Sequence, residues 1–75
     1  MVKYCKFKSV ELQEKIEELD DVTIIDSDIF DPYAGFWGVW NDLDANNPIV
    51  YIQNSYGETL MKCKKTTFDE LFTIE

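Results

Sequence analysis

The segment at residues 22–44 reads VTIIDSDIFDPYAGFWGVWNDLD and combines large aromatic side chains with acidic ones. Aromatic side chains supply much of the apolar area of cores and interfaces, whereas carboxylates are seldom buried without a partner. We therefore expect the rings to face a core or a partner and the carboxylates to form a separate, negatively charged surface. The aromatic residues are Phe30, Tyr33, Phe36, Trp37 and Trp40, and the acidic residues are Asp26, Asp28, Asp31, Asp42 and Asp44.

Length and composition predict one folded domain, spanning residues 1–75, around a single core. Apolar residues make up 45% of the chain, which is too many for intrinsic disorder. No apolar run approaches the roughly 18–20 residues of a membrane span, and the lysine-rich N-terminus is unlike a signal peptide. We therefore expect a cytoplasmic protein in which Cys5 and Cys63 are free thiols.

Hydrophobic spacing predicts one amphipathic helix, at about residues 10–19. Ser9 is a favourable N-cap, and Leu12, Ile16 and Leu19 recur at the spacing of one helix face. We expect these three side chains to pack into the core. The opposite face carries Glu11, Glu14 and Glu18.

Strand-forming residues indicate an α+β domain, with a mostly antiparallel sheet of four to five strands. The N-terminal helix should pack on one face of this sheet. A short helix at about residues 67–72, capped by Thr66 or Thr67, should fold back onto it. Lysines on the first strand favour an edge position, and Gly57 can adopt the positive φ that the last hairpin needs. The strands are predicted at residues 2–8, 22–30, 36–40, 49–54 and 59–65.

The net charge of −8 is concentrated in the middle of the sequence. Residues 9–59 carry twelve acidic side chains and a single lysine, Lys15. Such a surface repels the phosphates of nucleic acids and anionic lipids, so we expect no direct binding to nucleic acid or membrane. The expected partner is a basic protein. The residues predicted to contact it are Glu11, Glu14, Glu18, Asp20, Asp21, Asp26, Asp28, Asp31, Trp37, Trp40, Asp42 and Asp44.

The two tryptophans should lie on opposite faces of a strand, because Trp37 and Trp40 are three residues apart. We expect one ring to pack in the core. The other should lie open beside carboxylates, where an arginine of the partner would stack on it. The sequence leaves open which ring is exposed and slightly favours Trp40, since it is closer to the acidic loop. The carboxylates concerned are those of Asp26, Asp28, Asp42 and Asp44.

Enzymatic activity is not expected from this sequence. The chain contains no histidine, which excludes a Cys2His2 zinc site, a Ser–His–Asp triad and a Cys–His pair within one chain. The run VTIIDSDIF resembles the DxD strand end of haloacid-dehalogenase-type phosphotransferases, but a chain of 75 residues has no room for their doubly wound domain. We predict no catalytic residue and no cofactor.

A calcium loop is only partly matched. Asp42, Asp44 and Asn46 fit its first three ligand positions, but Asn47 and Gln53 replace the glycine and the glutamate that it requires. Weak calcium binding stays open at this point.

The predicted function is that of a small acidic inhibitor, which occupies the basic groove of a nucleic-acid-binding protein or nuclease. In size and charge the chain resembles the DNA-mimic inhibitors of phages and mobile elements. On a regular helix, Glu11, Glu14 and Glu18 would stand about 4.5 and 6 Å apart along the axis, which is commensurate with duplex charge density. The alternative is a non-catalytic regulatory or structural subunit with an aromatic interface. A metal- or calcium-responsive domain is the third hypothesis.

Overall fold

The computed structural model describes residues 1–41, 43 and 46–75. These residues form one six-stranded antiparallel sheet, two α-helices and two 3₁₀ helices. The predicted α+β class is confirmed, but the sheet has more strands than expected. None of the described helices is long and apolar enough to cross a membrane. The strands are β1 (Val2–Phe7), β2 (Thr23–Ile24), β3 (Phe36–Val39), β4 (Ile49–Gln53), β5 (Thr59–Lys64) and β6 (Phe72–Ile74); the helices are α1 (Val10–Glu14) and α2 (Lys65–Leu71); the first and second 3₁₀ helices are Ile16–Glu18 and Ser27–Phe30.

The strands follow the order β2-β5-β4-β3-β1-β6 across the sheet. The predicted hairpin of β4 and β5 is confirmed, and Gly57 adopts a φ of 79° in its turn. β1 lies between β3 and β6, so the edge position expected from its lysines is wrong. The sequence does not predict β6, because three residues are too few to show strand alternation.

The strand predicted at residues 22–30 is cut short and becomes a 3₁₀ helix. Only Thr23–Ile24 pairs in the sheet, against β5. Oδ1 of Asp26 accepts a hydrogen bond from the backbone N–H of Asp28 at 2.9 Å and so caps the second 3₁₀ helix. An aspartate side chain offers the backbone an alternative to strand pairing, and here that alternative ends the strand.

The helix predicted at residues 10–19 is also shorter than expected. It ends at Glu14, where the N–H of Lys15 bonds to the carbonyl of Leu12, only three residues back. The chain then continues as the first 3₁₀ helix, which winds with about 3.0 residues per turn instead of 3.6. The apolar stripe therefore does not continue to Leu19, which is 37% exposed, and its predicted place in the core is wrong.

α2 begins at Lys65, earlier than the helix predicted at residues 67–72. The carbonyl of Pro48 accepts a hydrogen bond from the N–H of Lys65 at 2.8 Å, and Oδ1 of Asn47 accepts one from the N–H of Thr66 at 2.9 Å. The preceding loop thus satisfies the first N–H groups of the helix, so neither threonine is the cap.

The helical elements cover one face of the sheet, and the core lies between them. Gly38 on β3 leaves room for Phe68 of α2, because a Cβ there would lie 2.8 Å from that ring. Cys5 and Cys63 are free, as predicted, and buried. Burial raises the pKa of each thiol to about 12, so both are unreactive at neutral pH. The buried apolar residues are Cys5, Ile16, Ile29, Phe36, Trp40, Val50, Ile52, Leu60, Met61, Cys63, Phe68, Leu71 and Phe72.

The opposite face of the sheet, which we call the open face, is exposed to solvent. Tyr4 lies opposite Trp37 on β3, and the centroids of their rings are 5.0 Å apart. Tyr51 on β4 lies opposite Lys62 on β5. The open face is therefore aromatic and basic. Its outward side chains include those of Val2, Tyr4, Lys6, Thr23, Trp37, Val39, Ile49, Tyr51, Gln53, Lys62, Lys64 and Thr73.

Candidate protein-binding surface

The fold separates acidic from basic side chains. Among the described residues, none of the six strands contains an aspartate or a glutamate, so these acidic residues all lie in helices, turns and loops. The outward side chains of the strands therefore include lysines and no carboxylate, on a protein of net charge −8. Lys6, Lys62 and Lys64 point to the open face, whereas Lys3 lies opposite Gly38 and shares the register of the helix-bearing face.

The acidic side chains of α1 and the first 3₁₀ helix are all exposed. In the described part of the chain the single salt bridge joins Lys65 to Asp69, at 2.7 Å, so these glutamates are not neutralised by an ion pair. The spacing expected of a regular helix applies to Glu11 and Glu14 but is wrong for Glu18, which lies beyond the end of α1. The exposed group consists of Glu11, Glu14, Glu17 and Glu18.

Gln13 joins this acidic helix to the second 3₁₀ helix. Its side chain is buried, at 4% exposure, and its Nε2 donates hydrogen bonds to the carbonyls of Ile29, at 2.8 Å, and Asp31, at 2.9 Å. Ile29 is itself fully buried against the sheet. The acidic residues of the two segments are therefore held on neighbouring elements of the helix-bearing side. Spacing rules do not identify Gln13, since a polar residue at a core position contradicts the apolar pattern.

Three aspartates of the second 3₁₀ helix region are exposed, and they differ in their hydrogen bonds. Asp26 caps the turn, and Oδ1 of Asp31 accepts a hydrogen bond from the N–H of Tyr33 at 2.9 Å. The carboxylate of Asp28 accepts no hydrogen bond and forms no ion pair within the described residues. Asp28 is thus the most available of the three for a partner.

Asp20 and Asp21 lie in the turn before β2, and their environments differ. Asp20 is exposed, whereas Asp21 is half-buried. Oδ2 of Asp21 accepts hydrogen bonds from Oγ1 of Thr67, at 2.7 Å, and from the N–H of Lys64, at 3.2 Å. Burial acts to raise the pKa of Asp21, but these hydrogen bonds outweigh it and the pKa is lowered. Asp21 therefore ties its turn to β5 and α2, which is a structural role.

The two tryptophans lie on opposite faces of the sheet, and Trp40, which the sequence slightly favoured as the exposed ring, is the buried one. Trp40 is 9% exposed and packs against Phe68, with ring centroids 5.4 Å apart. Nζ of Lys65 lies over the Trp40 ring, 5.1 Å from its centroid. Trp37 is half-buried and points to the open face. The reason is that Gly38 makes space for Phe68 beside Trp40, so α2 covers that side of β3.

A cleft of about 380 Å³, which we call the Trp37 cleft, opens where the aromatic pair of the open face meets the second 3₁₀ helix. Its lining includes Tyr4 and Trp37 together with Asp28 and Asp31. Tyr56, at the tip of the hairpin and 86% exposed, lies at its border. Sequence reasoning missed both tyrosines. For Tyr4 a signal was present: it precedes Cys5, so strand alternation places the two side chains on opposite faces of the sheet.

Gly35 permits this arrangement of the cleft. A Cβ at this position would overlap the hydroxyl and the ring of Tyr4, so the ring lies directly across the backbone of the glycine. Any larger residue would displace Tyr4 from its contact with Trp37. Because Gly35 has no side chain, the Tyr4 ring can lie against the backbone and contact Trp37.

Two predicted contacts, Asp42 and Asp44, lie outside the described residues, so the calcium-loop hypothesis stays untested. In the part of the chain that is described, no group of three cysteine, aspartate or glutamate side chains is placed to hold a metal ion.

Comparisons with known proteins identify no relative of this chain. No protein-family model matches it, and no curated protein or solved structure is significantly similar to it. Function is therefore inferred from the chemistry of the surface.

Proposed function

We propose that the protein is a small acidic inhibitor that binds the basic groove of a nucleic-acid-binding protein or nuclease. The observation that carries the proposal is the group of exposed carboxylates on the helix-bearing side, which lie apart from Lys62 and Lys64 of the open face. Exposed carboxylates without ion-pair partners offer lysine and arginine side chains the negative charge that phosphates otherwise supply. The proposal assigns no catalytic residue and no cofactor.

Charge separation also gives the molecule a preferred orientation as it approaches a basic surface. The acidic side is attracted, and the part of the open face that carries Lys62 and Lys64, on β5, is repelled, so productive encounters become more frequent. We place this function in the cytoplasm, where a DNA mimic meets its target and where Cys5 and Cys63 remain reduced. A phage or mobile-element origin is part of the same proposal.

The experiment begins with capture of the partner and then measures its association rate. Immobilised protein is used to isolate a partner from host lysate, and the purified pair is studied between about 50 and 150 mM salt. We expect the rate to fall about ten-fold or more over this range, and duplex DNA to compete. A salt-independent rate, or a complex that DNA does not displace, would refute the mimicry.

Two variants, one on each side of the molecule, test which charges are responsible. Replacing Glu11, Glu14 and Glu18 by glutamine keeps the side-chain shape and should lower the association rate. Replacing Lys62 and Lys64 by glutamine removes charge from the opposite face and should not lower it. Equal effects of the two variants would contradict the assigned orientation.

A second candidate function is favoured by the exposed rings of the open face. Tyr4 and Tyr51 are each more than one-third exposed, and flat aromatic surfaces of this kind are typical of protein interfaces. In this case the protein is a non-catalytic regulatory or structural subunit, and its acidic side serves solubility. Tyr51→Ser would then weaken the complex, while the variant with glutamine at Glu11, Glu14 and Glu18 would bind normally.

A further inference from the structure

We propose that the Trp37 cleft receives the guanidinium group of an arginine side chain from the partner. This inference rests on the proposed function and deepens it, because it identifies the side chain that the basic partner inserts. The cleft volume of about 380 Å³ is at the small end of ligand pockets, as a site for one side chain should be.

The cleft contains two kinds of group that attract a cation, aromatic rings and carboxylates. The Tyr4 and Trp37 rings lie 5.0 Å apart and tilted by 59°, and the faces of aromatic rings carry partial negative charge. Asp28 and Asp31 are also lining residues and carry carboxylates. Aromatic face and carboxylate together attract a cation that approaches between them.

Arginine satisfies both walls better than lysine does. A guanidinium is planar, so it stacks on a ring while its edge donates paired hydrogen bonds to a carboxylate. An ammonium group is compact and strongly hydrated, and it cannot stack as a plane. The cleft is therefore expected to discriminate between the two side chains.

The cleft is also preformed and not filled by a lysine of this chain. Within the described residues, the lysine found over aromatic rings is Lys65, which lies over Trp40 and Phe68 on the other side of the sheet. Gly35 fixes the position of Tyr4, and the N–H of Tyr33 holds the carboxylate of Asp31. Binding should thus require little rearrangement.

The test uses two short probes, the peptides acetyl-Gly-Arg-Gly-amide and acetyl-Gly-Lys-Gly-amide. Each is titrated into the isotopically labelled protein, and the indole N–H resonance of Trp37 is followed by NMR, with Trp37→Phe used for its assignment. We expect a saturable shift with the arginine peptide, and about three- to five-fold weaker binding of the lysine peptide. No saturable shift at Trp37, or equal binding of the two peptides, would overturn the proposal.

Charge-matched double variants separate local recognition from general attraction. Asp28→Asn with Asp31→Asn keeps an acceptor oxygen for Tyr33 and should weaken the arginine peptide about ten-fold. Glu11→Gln with Glu14→Gln removes the same charge away from the cleft and should change binding less than about two-fold. Equal weakening by both variants would refute a specific site.

Failure of the arginine site can be distinguished from failure of the inhibitor proposal. If the peptides do not bind at Trp37 but the whole partner still binds with steep salt dependence and is displaced by DNA, the inhibitor proposal stands and the arginine site is wrong. If the peptides bind at Trp37 but DNA does not compete with the partner, the arginine site stands and the inhibitor proposal is wrong. Comparing the melting temperature of each variant with that of the parent protein tests whether a loss of binding is caused by a loss of folding.

Discussion

Replacing Gln13 by leucine should lower the free energy of unfolding by about 2–4 kcal/mol. Gln13 donates two hydrogen bonds, one to the buried carbonyl of Ile29 and one to the part-buried carbonyl of Asp31. Leucine fills a similar volume but leaves both carbonyls without this donor, and an unsatisfied buried polar group costs about 1–3 kcal/mol. A domain of this size has a total stability of roughly 4–11 kcal/mol, so the loss should be large enough to measure.

The measurement is urea unfolding, followed by tryptophan fluorescence and by far-ultraviolet circular dichroism. Glu14→Leu is the matched control, because it introduces the same side chain at the next, exposed position of α1 and should change stability by less than about 0.5 kcal/mol. If Gln13→Leu unfolds within 0.5 kcal/mol of the parent, the assigned link between α1 and the second 3₁₀ helix is incorrect.

Three further measurements test the core, the tryptophans and the turn before β2. Ile16→Ala should cost about 2–5 kcal/mol of unfolding free energy and Leu19→Ala less than about 1, and equal losses in urea would contradict the packing. Iodide should quench Trp37 more than Trp40 when each is the only tryptophan, and equal protection would contradict their burial. The folded-state pKa of Asp21 lies below its ordinary value of 3.8, so its ionisation stabilises the fold above that pH and the contribution is lost as the pH falls through the folded pKa. Asp21→Asn should therefore flatten the acid limb of the stability curve, and an unchanged limb would disprove the assigned hydrogen bonds.

Sequence patterns predicted the elements whose periodicity is local. The β4–β5 hairpin shows clear strand alternation and a turn glycine, and Gly57 has the expected positive φ. The start of α1 follows from the capping side chain of Ser9, which accepts a hydrogen bond from the N–H of Leu12. In both cases the residues that decide the structure are only a few positions apart.

Other features depend on contacts between residues that are distant in sequence. Alternation placed Trp37 and Trp40 on opposite faces, but which face is covered is decided by Phe68, about thirty positions further along the chain. The early end of α1 is likewise accompanied by the bond from Gln13 to Ile29, sixteen residues away. The Trp37 cleft joins β1, the second 3₁₀ helix, β3 and the hairpin, so no single stretch of sequence could have predicted it.

The two proposals place long-range attraction and short-range recognition in different parts of the surface. In the proposed function, the exposed glutamates of α1 and the first 3₁₀ helix would attract a basic partner over a Debye length of about 8 Å and would thus govern its association rate. The Trp37 cleft acts only at contact, and contacts of this kind mainly govern how slowly a partner leaves. An inhibitor that relied on long-range attraction alone would bind many basic proteins weakly, because charge does not distinguish one basic protein from another. Only with a site such as the cleft would the acidic surface select one partner among them.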